Sequence, residues 1–289
     1  MDFKLKRNNK VHVTSLTILK LSVFFVFLGR AYQYLFWDAP FRAFFWDEQL
    51  LKFFVESILK IEWDDYATSI SVDNLIQGLI LFFGAVYAVA AIIALIFRYN
   101  KRVHKVIILI GAVGLFILAY LLMKEQFYRF SQFFEYSLQF SIPVLLVYYK
   151  RSFVKKHLDL ILKILIAAVF GAHALYAIGY YPVSGHFLDM TISITGFSEE
   201  VAKTFLLVAG VLDILVAIFI FFPRVAKYTL IYAMVWGLLT SFARIVSGFY
   251  FDFFWESIHS SLYQVIYRLP HGLIPLMVLF RMKEKTTVI

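Results

Sequence analysis

Apolar residues run along this chain in long stretches separated by short charged segments. A helix that crosses a bilayer needs roughly 20 of them in succession. Eight stretches reach that length, at about 15–37, 72–97, 104–123, 129–149, 158–180, 200–222, 226–248 and 260–280. Two contain an internal proline, Pro143 and Pro275, which a membrane helix accommodates where neighbours satisfy the freed carbonyl. The pattern predicts an all-α polytopic membrane protein with eight transmembrane helices.

The charged segments alternate in sign. Lys4, Lys6, Arg7 and Lys10 precede the first stretch; Arg98, Lys101, Arg102 and Lys105 follow the second; Lys150, Arg151, Lys155 and Lys156 follow the fourth. Arg224 and Lys227 follow the sixth, and Arg281, Lys283 and Lys285 the eighth. The intervening segments are acidic, with Asp38, Asp47, Glu48, Glu56, Glu62, Asp64, Asp65 and Asp73 in one and Asp189, Glu199 and Glu200 in another. Lysine and arginine concentrate on the cytoplasmic side. Both termini are therefore expected inside the cell membrane, here a bacterial inner membrane. No small-residue cleavage site follows the first apolar run, so a retained first span is expected.

The segment after the first stretch, 41–63, spaces Phe41, Phe44, Phe45, Leu51, Phe54, Ile58 and Ile61 near a helical period. Charges fill much of the other face. That pattern predicts an interfacial helix lying flat on the outer surface; a re-entrant hairpin or an ordinary covering helix would use similar residues. The pairs Trp37-Asp38 and Trp46-Asp47 read as an aromatic belt with solvated acids.

The two halves also correspond. Residues 82–105 run parallel to 207–230, so that Gly84 falls on Gly210, Arg98 on Arg224 and, further on, Gly111 on Gly237. Residues 132–150 run parallel to 264–282, with Gln132 on Gln264, Gln139 on His271 and Pro143 on Pro275. Arg30 falls near His173 and Asp47 near Asp189. Four spans per unit preserve orientation, so the expectation is two parallel four-helix repeats, 1–150 and 151–289.

Composition narrows the chemistry. Hydrophobic residues make up 62% of the chain, with mean hydropathy +0.78, against about 45–50% apolar in soluble domains. Cysteine is absent, which excludes a disulfide, a thiolate nucleophile and a thiolate metal site. The net charge of +9 sits in topology-like clusters and implies no nucleic-acid partner. There is no HExxH, GxSxG or phosphate-binding glycine loop. The seven histidines are scattered, and no metal site is expected. A haem held by His173 and His271 is conceivable, but nothing in the spacing requires it.

Ionisable groups inside the membrane are costly, about 2.5–3.5 kcal/mol on insertion scales, and mark pairing, water access or function. The candidates for a ligand pocket are Arg30, Glu135, Gln139, His173, Asp213, Arg244, Gln264, Arg268 and His271. Each falls in the half of its span nearer the acidic segments, or close to the centre, so one outward-facing polar hollow would hold them all. Gln264, Arg268 and His271 share one helical face, and Gln132, Glu135 and Gln139 another. Asp213 is either neutral or paired with Arg244, Arg30 or Arg268. Each has a plainer alternative: Arg30 and Arg244 can snorkel to the headgroups, His173 and the glutamines can bond between packed helices, and Asp213 can clamp helices together.

Residues 168–245 resemble the DoxX-like family of four-helix membrane proteins, through "GAHALYAIGYYPVSGHFLDM" (171–190) and "LVAGVLDILVAIFIFFPRVAKYTLI" (207–231). The matching features are Ala209, Gly210 and Asp213 in an A-G-x-x-acid pattern, then the basic turn of Arg224 and Lys227. The first half would be a diverged copy, with Tyr87 in place of the acid. Arg30 before an aromatic loop faintly resembles the membrane domain of vitamin-K-dependent-carboxylase-like proteins. The DoxX-like resemblance implies a redox-associated membrane subunit, a quinone or similar amphipathic ligand, and a redox or envelope protein partner besides the lipid bilayer. A transporter or lipid-handling protein and a non-catalytic scaffold are the alternatives.

Overall fold

The computed structural model describes residues 2–286, with side chains from 14 to 283. The basic residues Lys4, Lys6, Arg7, Lys10 and Lys285 lie outside the described side chains. The described chain is helical throughout, without strands. Seven of its helical stretches are long and apolar enough to cross a membrane, which makes this an integral membrane protein in contact with lipid.

In chain order the helices are α1 (Asp2–Phe36), α2 (Arg42–Phe45), α3 (Glu48–Phe54), α4 (Trp63–Ala67), α5 (Ile70–Leu95), α6 (Arg102–Glu125), α7 (Phe130–Glu135), α8 (Ser137–Tyr148), α9 (Ser152–Ala177), α10 (Gly185–Thr195), α11 (Glu199–Phe219), α12 (Ala226–Ser247), α13 (Phe254–Arg268) and α14 (Pro270–Thr286). Helix α1 is central and packs against α5, α8, α13 and α14. Helix α9 packs against α7, α8, α11 and α14. Helices α5, α11 and α12 bury only a third or less of their apolar windows inside the protein. Their remaining residues, such as Phe82, Ile92, Val208 and Leu239, are exposed. A water-exposed surface of that kind would be an aggregation hazard; facing acyl chains it is the expected state.

The span expected at 129–149 is instead two helices. α8 alone has 12 residues, about 18 Å at 1.5 Å per residue, short of the ~30 Å hydrocarbon core. The break falls at Tyr136 (φ −94°, ψ 0°), and the span near 260–280 is also divided, at Leu269, which keeps helical angles (φ −48°, ψ −35°). There the cause is local. Pro270 supplies no N–H to the preceding turn, so one helix ends and another starts on the proline. The single helical face expected for Gln264, Arg268 and His271 is thus divided between α13 and α14.

Pro275 acts on packing. It cannot donate to the carbonyl four residues earlier, that of His271, and α12 closes on this position. A Cβ built on Gly237 would stand 2.6 Å from the His271 carbonyl oxygen, so only glycine lets the two backbones meet. Close approach through small residues is the main means of packing helices in lipid.

The flat helix expected at 41–63 is also divided. Asp47 caps α3 through a hydrogen bond from the Leu50 N–H (3.0 Å), a π-helical turn follows at Val55–Leu59, and Lys60 takes left-handed backbone angles. Phe53 and Ile58 remain exposed, while Val55, Trp63 and Tyr66 form a small cluster of their own. Of the two acids in the Trp-Asp pairs, Asp38 is exposed, as expected of a solvated belt residue, whereas Asp47 is drawn in. Arg42 donates to Asp38 (3.0 Å) and to Asp73 (2.8 Å), joining α2 to the segment after α1 and to α5. Asp47 pairs with Lys124 at the end of α6.

Gly237→Val should force α12 away from α14 and lower stability by about 1–3 kcal/mol, the range for overpacking, read as a lower melting temperature in detergent. The hydrogen bond from Lys124 holds the Asp47 carboxyl below its ordinary value. A carboxylate depressed in the folded state stabilises above its unfolded pKa, about 3.9 for Asp, and that contribution is lost as pH falls through the lowered value. Amide protection across α3 should therefore hold at pH 5 and fall below about pH 4, with Lys124→Ala moving the loss to higher pH.

Candidate functional site

The polar residues singled out in the sequence are all drawn into the bundle, but they form two groups rather than one. Arg30 and Gln139 make the first. Arg30 is 1% exposed and does not snorkel. Its Nε and Nη2 donate to the Gln139 side-chain oxygen (3.0 and 2.7 Å), and Nη1 donates to Gln33 (2.6 Å). The guanidinium lies 3.8 Å from the Tyr267 ring centroid and 5.1 Å from that of Tyr136. These contacts bolt α1 to α8 and α13. The charge is met by amide oxygens and π faces, without a carboxylate, and neither residue lines a cavity described below.

The second group surrounds the breaks at Tyr136 and Leu269. Glu135, the last residue of α7, pairs with Arg268, the last of α13. It also accepts from His173 Nε2 on α9 at 3.1 Å. Arg268 Nη1 lies 3.4 Å from the same histidine nitrogen, and the His173 and His271 rings are stacked at 6.1 Å. Ending two helices here lets three elements converge on one charge cluster, which continuous helices would carry past one another.

Two cavities meet at this cluster, and Phe187, Arg244 and Arg268 line both. One, of about 540 Å³, is a vestibule walled by Arg129, Gln132, Glu135, Tyr176, His186 and Gln264. Arg129 follows a tight turn in which Phe127 and Tyr128 both adopt positive φ (53° and 57°), strain of order 1–3 kcal/mol for each such residue. His186 is held below its usual pKa by desolvation, and the Arg244 and Arg268 charges act in the same direction. The vestibule is a positively charged space.

The other cavity, of about 360 Å³, is an apolar chamber between α9, α11 and α12 under α10. Phe170, Ala177, Met190, Leu206, Ala209 and Trp236 contribute to its wall. Its lining includes Ile194, Phe205, Leu239, Phe242 and Val246, all exposed, so it opens sideways between α11 and α12 toward the lipid-facing surface. Ionisable groups interrupt the apolar wall: Asp213, His173, His271, Arg244 and Arg268.

Arg244 is 5% exposed. Its Nη1 donates to the Thr240 carbonyl one turn back (2.8 Å), and among the described residues it has no carboxylate partner. Asp213, likewise 5% exposed, pairs with none of the three arginines proposed for it. Trp236 stands within hydrogen-bonding reach of its carboxyl, and Oδ1 has no protein partner. A buried polar atom left unmatched costs about 1–3 kcal/mol. Arg268 Nε and His271 Nε2 are in the same condition. Arg129, His186, Phe187 and Trp236 were not anticipated from sequence. Arg129 stands beside a span on the acidic side, an unusual place for an arginine, whereas a mid-span tryptophan carries no signal.

Glu135→Ala should leave Arg268 buried and unpaired, and breaking a buried pair costs about 3–5 kcal/mol. The expected outcome is a large drop in melting temperature that Arg268→Met in the same chain partly restores.

Among groups of three or more acidic or histidine side chains in the described residues, none is arranged to hold a metal ion. Compared with known proteins, the chain matches no family model, no curated protein and no solved structure.

Proposed function

We propose that this protein binds an amphipathic molecule with an anionic head, taken laterally from the exoplasmic leaflet, with the head at the vestibule and the tail in the chamber. The observation that carries this reading is Arg244: a buried guanidinium, matched by one backbone carbonyl, at the junction of a polar and an apolar cavity. Arg268 Nε, unpartnered at the same junction, is a second donor for the head. An anionic head fits better than a quinone, whose neutral carbonyls would leave the Arg244 charge unbalanced. The orientation follows the positive-inside rule, with the vestibule outside and both termini cytoplasmic in a bacterial inner membrane. The redox association rests on the DoxX-like residues Ala209, Gly210 and Asp213 alone. Ala209 and Asp213 lie on the chamber wall.

We also read the bundle as two parallel repeats, 1–150 and 151–289. Gly84 abuts Tyr34 and Leu35, while Gly210 abuts Ala177 and Ile178, residues related by the same offset that sets Arg30 on His173. Both fourth spans are broken, and α1 meets α13 and α14 much as α9 meets α7 and α8. On this correspondence Tyr34, Phe83 and Tyr87 occupy the positions of Ala177, Ala209 and Asp213. Their rings pack together, Tyr34 on Tyr87 at 5.1 Å and Phe83 on Tyr87 at 6.1 Å, and fill the space that the second half leaves open. The paired breaks favour a second reading, transport of the same molecule, because interrupted helices at matching positions mark transporter sites.

Purified protein in nanodiscs of neutral lipid should bind tetradecanoate at least tenfold more tightly than tetradecanol, a difference of ~1.4 kcal/mol. Arg244→Gln should abolish that preference. Ala209→Phe, which copies the aromatic filling of the first half, should abolish binding of both while leaving the melting temperature within a few degrees. Equal binding of acid and alcohol by the unaltered protein overturns the anionic-head reading.

A further inference from the structure

The chamber wall is not matched to a plain hydrocarbon tail. His271, 5% exposed, has its Nδ1 2.8 Å from the Arg268 carbonyl oxygen. A carbonyl only accepts, so Nδ1 carries the hydrogen, and Nε2 of the neutral ring is an acceptor. That acceptor has no protein partner, and the residue lines the chamber. Asp213 Oδ1, on α11, is a second unmatched polar atom on a buried side chain of the same wall. Nearly all buried polar atoms find partners. Arg268 Nε, also unmatched there, is taken up by the head, and the other two need an explanation of their own.

We propose that the occupant's chain carries a hydroxyl close to its anionic head, which donates its one hydrogen to His271 Nε2 while its oxygen accepts from Asp213, whose buried carboxyl is neutral because no cation among the described residues pairs with it. The inference rests on the anionic-head reading and adds the chain's own polarity to it. The position follows from the backbone. His271 is hydrogen-bonded to the Arg268 backbone and lines the chamber together with Arg268 and Arg244, so a group bound there stands close to a head held at those two arginines. A hydroxyl serves both sites at once, donating to the imidazole and accepting from the carboxyl. A saturated chain offers nothing to either. A ligand with its polar groups confined to the head leaves both unmatched. The predicted class is therefore a 3-hydroxyacyl chain or its equivalent ending in an acid or phosphate.

The test compares 3-hydroxytetradecanoate with tetradecanoate on the full chain in neutral nanodiscs. The expected result is at least tenfold tighter binding of the hydroxy acid. Asp213→Leu and His271→Phe should each remove most of that preference, read as the ratio of the two affinities measured on the same variant. Equal affinity of the unaltered protein for the two acids overturns the hydroxyl proposal and leaves the anionic-head reading standing. Failure of both acids to bind overturns both. The comparison on the unaltered chain needs no variant to fold. A variant that retains the preference overturns the role given to its residue.

Discussion

Among the described residues three buried guanidinium groups lie inside this bundle, those of Arg30, Arg244 and Arg268, and of these only that of Arg268 is matched by a carboxylate. Everything else about the site depends on how the other two charges are tolerated. In a medium of low dielectric a bare cation is far too costly, so each must be surrounded by groups that lower its energy. Arg30 is fully provided for: two glutamine oxygens take its hydrogens and two tyrosine rings flank its plane. Arg244 is not, having a single backbone carbonyl. The difference separates a structural arginine from one whose surroundings are incomplete without a further anion.

The backbone makes that arrangement possible. Because α7 ends at Glu135 and α13 ends at Arg268, two side chains of opposite sign meet at the tips of their helices, and His173 joins them from α9. The same breaks leave room beside them for the vestibule. Pro275 and Gly237 then fix the far wall, since the carbonyl freed by the proline faces a residue with no side chain to keep α12 away. Packing that brings α12 close at Gly237 also sets Trp236 beside Asp213 and turns Arg244, two turns later, toward the cluster.

The proposal that the two halves are parallel repeats bears on the chamber. Under it, Tyr34, Phe83 and Tyr87 of the first half fall on Ala177, Ala209 and Asp213 of the second. Three aromatic rings fill a volume of the order of a small-molecule site, so their replacement by small residues opens one without altering the helix framework. In this reading the scaffold is maintained by one half, and the cavity is formed by what the other half lacks.

Much of this was legible in the sequence. Hydropathy determined the membrane setting and the helical class, because lipid leaves no other state for long apolar runs. The cost of burying ions marked Glu135, His173, Asp213, Arg244, Arg268 and His271, all of which line one cavity or both. What periodicity could not reveal was where helices stop. A composition-based span at 129–149 contains no mark of the turn at Tyr136, and the Phe-rich segment at 41–63 reads as one helix until Asp47 and Lys60 divide it. Nor could it assign partners. Arg30 to Gln139, Arg268 to Glu135 and Asp213 to none of the arginines are outcomes of distance between helices far apart in sequence. The chain by itself determined which residues lipid would not solvate; only the tertiary structure decided which of them satisfy one another and which are left facing a cavity.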